Sequence, residues 1–435
     1  MEIKLKKKRM QWYLDAKLGM FIHWGIYSVY GHGEWARSYE EISIDEYQNN
    51  FDNFDPKNYN PKAWAELAKN AGMKYAVLTA KHHDGFCLFD SKYTDYKSKN
   101  TKLNRDVVAD FVEAFRSVGI KIGLYYSLLD WHHPDFPAYG DMYAPMRNRD
   151  NSGNRGRNFD RYLQYLHNQV EELCTHYGKL DLFWFDFSYD KLQGEAWNAT
   201  ELVRMIKSHH PDIIINNRLD VNGGGLGSIV DESPKYYCGD FITPEQTVPE
   251  DGFKNFYGES VPWETCITTN NHWGYCKDDK NFKSGKTLII KLVDCVSRGG
   301  NLLINIGPDG NGVVPEEAVK ALNELGAWMK ENSESIYGCG ISGLNKPNFG
   351  RITKKGNKYY YHLTEEIIGP IPLPGISKQS VKKITLLINQ RELFPINTWI
   401  VNYYDDIVFV SLGEQPDFTY SLPDDRDTVI CVEVN

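Results

Sequence analysis

The chain has 435 residues, 41% hydrophobic and 25% charged, which supplies a large apolar core and excludes a disordered chain. A formal charge of -9 excludes a polyanionic partner such as nucleic acid, which needs concentrated positive charge. No stretch reaches the ~20 apolar residues of a membrane span, so a soluble globular protein of two domains is expected.

The basic run KLKKKR, residues 4–9, reads as a solvated tail. No apolar segment follows it as in a signal peptide, so the chain reads as cytoplasmic. Beyond it, short apolar runs that end in polar residues alternate with helix-like stretches. LGMFIHWG (18–25) brings His23 and Trp24 to its end, and the loop GHGEWARS (31–38) follows with Glu34 and Trp35. NPKAWAELAKNAG (60–72) opens on Asn-Pro and closes on Gly, as a capped helix does. KYAVLTAKHHDG (74–85) ends in His82, His83 and Asp84. A helix over 106–119 leads into IKIGLYYSLLDW (120–131), with Tyr125, Tyr126 and Ser127 near its end. A third helix, 158–178, precedes LDLFWFDFSYD (180–190), where Asp186 stands among aromatic residues. DIIINNRLD (212–220) and GNLLINIGPDG (300–310) complete the series.

Continuous apolar strands alternating with amphipathic helices predict a parallel sheet, here a (β/α)8-like barrel over residues 1–338, irregular between 216 and 290. After residue 338 the helix signal vanishes and short strand-like runs predict a C-terminal antiparallel β-sandwich, 339–435. In such a barrel the chemistry gathers at the C-terminal ends of the strands. The polar residues fall at five such ends, and a carboxylate there is held ionised by Arg or by hydroxyl and imidazole donors.

The eight cysteines show no C-x-x-C pair and read as buried thiols. His82 and His83 are adjacent and point to opposite faces of a strand, and no H-E-x-x-H is present, so neither a metal nor a cofactor is expected. Imidazoles that donate and accept to ligand hydroxyls fit better. The GHGEW loop lacks the spacing of a phosphate loop, and Glu34 would repel phosphate. Glu beside Trp suits a sugar, the acid accepting from hydroxyls and the ring covering a C–H face.

In their order, FIHWGIYSV, GEW, KHHDGF, LFWFD, NNR, GDFITPEQ, PWETC with WGY, and GGNLLINIGPDGNG resemble glycoside hydrolase family 29, the α-L-fucosidases, from residue 12 to about 338. The resemblance implies a retaining enzyme that releases terminal α-L-fucose from fucosylated oligosaccharides or glycoconjugates without a metal, with Asp186 as nucleophile. It implies Glu245 in TPEQ as acid/base, with Glu264 in PWETC and Glu232 in VDES as competitors. It carries over His23, Glu34, Trp35, His82, His83, Tyr126, Arg218 and Trp273 as fucose-contacting positions. Phe187 is a departure, since relatives often have Gly after the nucleophile. A sugar-binding protein without turnover, an α-galactosidase and a His-dependent metallohydrolase are the alternatives. The sequence sets no subunit number and is compatible with a homo-oligomer.

Overall fold

The computed structural model describes residues 2–221, 225–404 and 406–435, with side chains from residue 8 onward. The apolar runs form strands β1 (Leu18–Ile22), β2 (Tyr75–Lys81), β3 (Lys121–Ser127), β4 (Leu182–Asp186), β5 (Ile214–Ile215) and β7 (Asn301–Ile306), and the more polar ETCIT adds β6 (Glu264–Thr268). They pair in parallel in the order β5-β4-β3-β2-β1-β7-β6. Helices α1 (Glu2–Ala16), α2 (Pro61–Asn70), α3 (Val107–Ser117), α4 (Phe159–His176), α5 (Ala199–His209), α6 (Gly285–Ser297) and α7 (Glu316–Asn332) accompany the sheet. Asn60, Asp106 and Asn158 each accept from the third backbone N–H beyond them, which satisfies a donor the first turn would leave orphaned and starts α2, α3 and α4 there.

The sheet edges β5 and β6 are not paired with each other. Residues 240–246 run between them and bridge both, Asn216 to Phe241 on one side and Ile242 to Trp263 and Glu245 to Cys266 on the other, all in parallel. Pro244 has no N–H to donate, so the pairing stays a set of single bridges. Among the described residues, no α-helix lies between 217 and 263. The (β/α)8-like barrel is therefore closed by an irregular strand, and that strand carries Glu245.

Side-chain alternation divides the barrel wall. Phe21, Tyr75, Val77, Tyr125, Leu182, Trp184, Ile214, Phe241, Cys266 and Leu303 pack inward as one core, with Met10 and Tyr13 of α1 closing the floor. Each large apolar side chain buried there contributes roughly 1.5–3 kcal/mol. The basic run is no free tail. It belongs to α1, where Arg9 bonds both Asp240 and the Ile213 carbonyl and fastens the plug beneath the irregular strand; the side chains of residues 4–7 lie outside those described.

Antiparallel strands β8 (Gly340–Ile341), β9 (Gly350–Lys355), β10 (Lys358–Leu363), β11 (Ile371–Leu373), β12 (Val381–Leu386), β13 (Arg391–Leu393), β14 (Val408–Val410) and β15 (Thr428–Val434) follow. They form a six-stranded sheet, β8-β9-β10-β15-β12-β13, and a pair, β11-β14. Alternation splits this sheet too. Tyr361, Ile430 and Val432 fill its own core, whereas Tyr360, Val429 and Cys431 pack with the barrel's outer layer. No helix among the described residues is long and apolar enough to cross a membrane. No disulfide is present among them, and every cysteine is buried except half-buried Cys276.

Candidate active site

At the C-terminal mouth of the barrel, a pocket is floored by Phe21, Tyr125, Trp184 and Cys266. Its walls are His23, His82, His83, Trp35, Phe187, Asp186, Glu245 and Trp273. Asp186 ends β4 on its inward face, two residues beyond Trp184. Three donors answer for its charge. Oδ1 accepts from Arg218 Nη1 at 3.0 Å and from the Phe187 N–H at 2.9 Å, and Oδ2 from the Tyr125 hydroxyl at 3.0 Å. Burial pushes its pKa up to about 6, against the pull of Arg218 and with a further push from Glu245.

Arg218 holds the site together. Its Nη2 donates to Glu245 Oε2 at 3.2 Å and to the Thr243 carbonyl at 3.1 Å, its Nε donates to Thr243 Oγ1 at 2.8 Å, and the guanidinium lies 5.0 Å above the Trp184 ring. One planar fork thus joins β4, the turn after β5 and the irregular strand. Glu245 also accepts from Trp273 Nε1 at 3.1 Å, and its side chain is 45% exposed against 14% for Asp186.

The three imidazoles are buried. His23 Nδ1 lies 2.7 Å from Asn305 Oδ1 and His83 Nδ1 lies 2.6 Å from Ser127 Oγ, while His82 Nδ1 has no partner. Burial pushes His23 down to about 3 and holds His82 and His83 well below the usual range, with Lys81 adding to the effect at His83, so all three are neutral. Among the described residues, no group of three or more His, Cys, Asp or Glu is arranged to hold a metal ion.

Behind the imidazoles, the buried Lys81–Asp130 pair at 2.9 Å ties the end of β2 to the loop after β3, and the Trp131 N–H donates to the His83 carbonyl at 2.8 Å. Gly85 is required here. Its φ is +81°, and a Cβ would meet Asp130 Oδ1 at 2.3 Å. Trp35 packs edge-on against His83 and Trp131. Glu34 is buried beside the pocket and accepts from the Gly274 N–H at 2.8 Å, and burial raises its pKa. Phe187 adopts φ +76°, a region that disfavours bulky residues, and turns its ring onto His83 and Trp35.

Tyr126 is a correction. Residues 125 and 126 face opposite sides of β3, and it is Tyr125, in register with Trp184, that reaches the pocket. Tyr126 faces outward, where its hydroxyl donates to Gln169 at 2.8 Å and Lys81 lies 4.4 Å from its ring. Parity with Asp186 and Trp184 was the available signal for Tyr125. Trp184, Thr243 and Asn305 also belong to this site, and sequence reasoning assigned none of them a part in it.

Glu232 lies exposed on its loop. Glu264 is fully buried under the floor, where Tyr75 donates to Oε2 and Trp184 Nε1 lies 3.4 Å from Oε1. Burial raises its pKa to about 7, against the pull of its hydroxyl and indole donors. The folded state therefore holds a proton that the unfolded chain gives up near its ordinary pKa, and stability falls as pH rises through about 7. Glu264→Gln is expected to melt higher than wild type at pH 8, by roughly 1 °C per kcal/mol recovered in a chain of this length, and no higher at pH 5. Thermal melts at the two pH values test this, and equal offsets would contradict it.

Two carboxylates bridged by arginine over an aromatic floor, at the C-terminal mouth of a parallel barrel, are the arrangement that glycoside hydrolysis uses. The family model for alpha-L-fucosidase matches residues 2–334. The chain is 30% identical over 388 residues to the alpha-L-fucosidase of Dictyostelium discoideum, covering 80% of this chain and 77% of that protein. It superposes on the structure of alpha-L-fucosidase isoenzyme 1 from Paenibacillus thiaminolyticus with a TM-score of 0.94 at 48% identity, covering 99% of each chain. The trapped covalent intermediate of a GH29 alpha-L-fucosidase from Bacteroides thetaiotaomicron with 2-fluoro-fucosyl fluoride superposes with a TM-score of 0.80 at 28% identity, covering 98% of this chain and 96% of that one. The chain belongs to the alpha-L-fucosidase family.

Proposed function

We propose that the protein is an exo-acting, retaining α-L-fucosidase that removes terminal α-L-fucose from glycans by double displacement between two carboxyl groups. Asp186 attacks the anomeric carbon while Glu245 protonates the departing oxygen. Glu245 then takes a proton from the water that frees the sugar from Asp186. The observation that carries this reading is the guanidinium of Arg218, bonded at once to both carboxylates. A retaining pair stands only ~5–5.5 Å apart, a gap that one guanidinium fork spans.

The division of roles follows from the surroundings. Asp186 has three donors, which favour a carboxylate that attacks rather than an acid that gives a proton. Glu245 is the more exposed of the two, as suits a group that meets a leaving group and then water. The pocket, with a closed aromatic floor, suits one terminal ring better than a chain passing through. His23, His82 and His83 line the pocket and meet the sugar hydroxyls. Trp35 and Trp273 cover C–H faces, with Glu34 and Arg218 completing the cradle. The closed-off position of Tyr126 removes it from the contact set.

Proton NMR during hydrolysis of an aryl α-L-fucoside tests the reading. α-L-fucose as the first-formed anomer is expected, and the β anomer first would overturn it. A faster aryl α-D-galactosidase reaction would favour that alternative, and fucose binding without turnover a lectin-like protein. The pH profile has a sign as well. Asp186 must be ionised and burial raises it to about 6, so kcat/KM is expected to climb about tenfold per unit below pH 6, and to fall again at higher pH because Glu245 must carry its proton in the same step. The limb belongs to the coupled carboxyl pair, and a profile flat from pH 4 to 7 would contradict it.

A further inference from the structure

Asn305, near the C-terminal end of β7, is buried and joins two walls of the pocket. Its Nδ2 donates to the Trp273 carbonyl at 2.7 Å, and its Oδ1 lies 2.7 Å from His23 Nδ1. The first contact decides the second. A backbone carbonyl only accepts, so the amide must turn its nitrogen there and its oxygen to His23. An amide oxygen also only accepts, so Nδ1 carries the proton. In a neutral ring Nε2 is then bare, an acceptor on a pocket wall with no protein partner among the described residues.

We propose that Asn305 is a positioning residue that fixes His23 as an acceptor at Nε2, so that the pocket selects a sugar hydroxyl able to donate there. The inference rests on reading the pocket as the sugar site. The surroundings keep the ring neutral, since it faces His82 at 5.4 Å, Tyr125 at 5.8 Å and Trp273 at 5.1 Å between ring centroids. His83, Asp186 and Glu245 share the pocket, Arg218 spans the two acids, and Glu34 lies beside it, yet no carboxylate hydrogen-bonds the imidazole. The same amide steadies Trp273, whose indole N–H holds Glu245. One side chain thus serves both the sugar's orientation and its proton donor.

Asn305→Asp keeps the size and the acceptor toward His23, but sets a negative charge against the ring and removes the N–H from the Trp273 carbonyl. The charge favours imidazolium, which turns Nε2 into a donor. On an aryl α-L-fucoside, KM is expected to rise tenfold or more with a smaller fall in kcat, and the acid limb of kcat/KM to move up by at least one pH unit. Asn305→Ala, which adds no charge, should raise KM and leave the limb in place. A limb unmoved in Asn305→Asp, in protein that melts as a single folded species, would overturn the assignment.

Histidine ¹⁵N NMR of the wild-type protein reads the tautomer without any variant at position 305, with the His23 signals identified by their loss in His23→Gln. A protonated Nδ1 and a bare Nε2 are expected, and the reverse overturns the proposal. This arm needs no turnover. If the wild-type protein hydrolysed no fucoside, the functional reading would fall while the tautomer would still be decided.

Discussion

Asp186→Ala is expected to lower kcat on an aryl α-L-fucoside by roughly 10³–10⁶-fold, the range seen when a group acting in concert with its partners is removed. The loss should be chemical rather than architectural. Asp186 ends its strand with a side chain only 14% exposed, and its removal leaves Arg218 bonded to Thr243 and Glu245 and the floor of Phe21, Tyr125 and Trp184 in place. KM should therefore change much less than kcat. Azide is small enough to occupy the vacated space and attack from the same face, so part of the activity should return with β-L-fucosyl azide as product. That is a single inversion. An alanine variant that kept wild-type turnover would remove Asp186 from the chemistry.

Glu245→Ala is expected to cost about 10²–10⁴-fold in kcat/KM on natural or poorly activated fucosides, the usual contribution of a positioned general acid. The loss should shrink on fluoride or dinitrophenolate leaving groups, which depart without a proton. Glycosyl-enzyme then forms but waits for water, and azide intercepts it to give α-L-fucosyl azide through two inversions. The opposite anomers from the two variants separate the two roles. The same series measured on Glu264→Gln should show neither leaving-group dependence nor azide rescue, because Glu264 lies beneath the floor with Tyr75 and Trp184 as its donors. A pattern exchanged between Glu245 and Glu264 would reverse that assignment.

Much of this architecture is legible in the residues alone, for physical reasons. Strands buried on both faces need unbroken apolar runs, and each such run from Leu18 to Ile306 marks a barrel strand. An acid at the end of one of them, following Trp184 and Phe185, has little reason to be there unless donors await it, and Arg218 and Tyr125 do. The misreadings have causes too. Tyr125 and Tyr126 are chemically identical, so only their alternation relative to Asp186 separates pocket from outer layer. The segment 240–246 carries Pro244 and precedes no helix, so neither period announces it as a strand, although it closes the barrel and delivers Glu245. Arg9 reads as tail charge because its partner, Asp240, lies 231 residues away. Asn305 sits in a plainly visible motif, yet its use depends on His23 and Trp273 meeting it across the barrel.

The central claim is that the side chain at position 186 becomes bonded to the sugar. Incubation with 2-fluoro-fucosyl fluoride, followed by intact-mass measurement and peptide mapping, examines that bond directly. The account predicts one added fluorofucosyl group per chain, carried on Asp186 within the peptide LDLFWFDFSYD and absent from Asp186→Ala. Label found on Glu245, Glu264 or any other residue would contradict it.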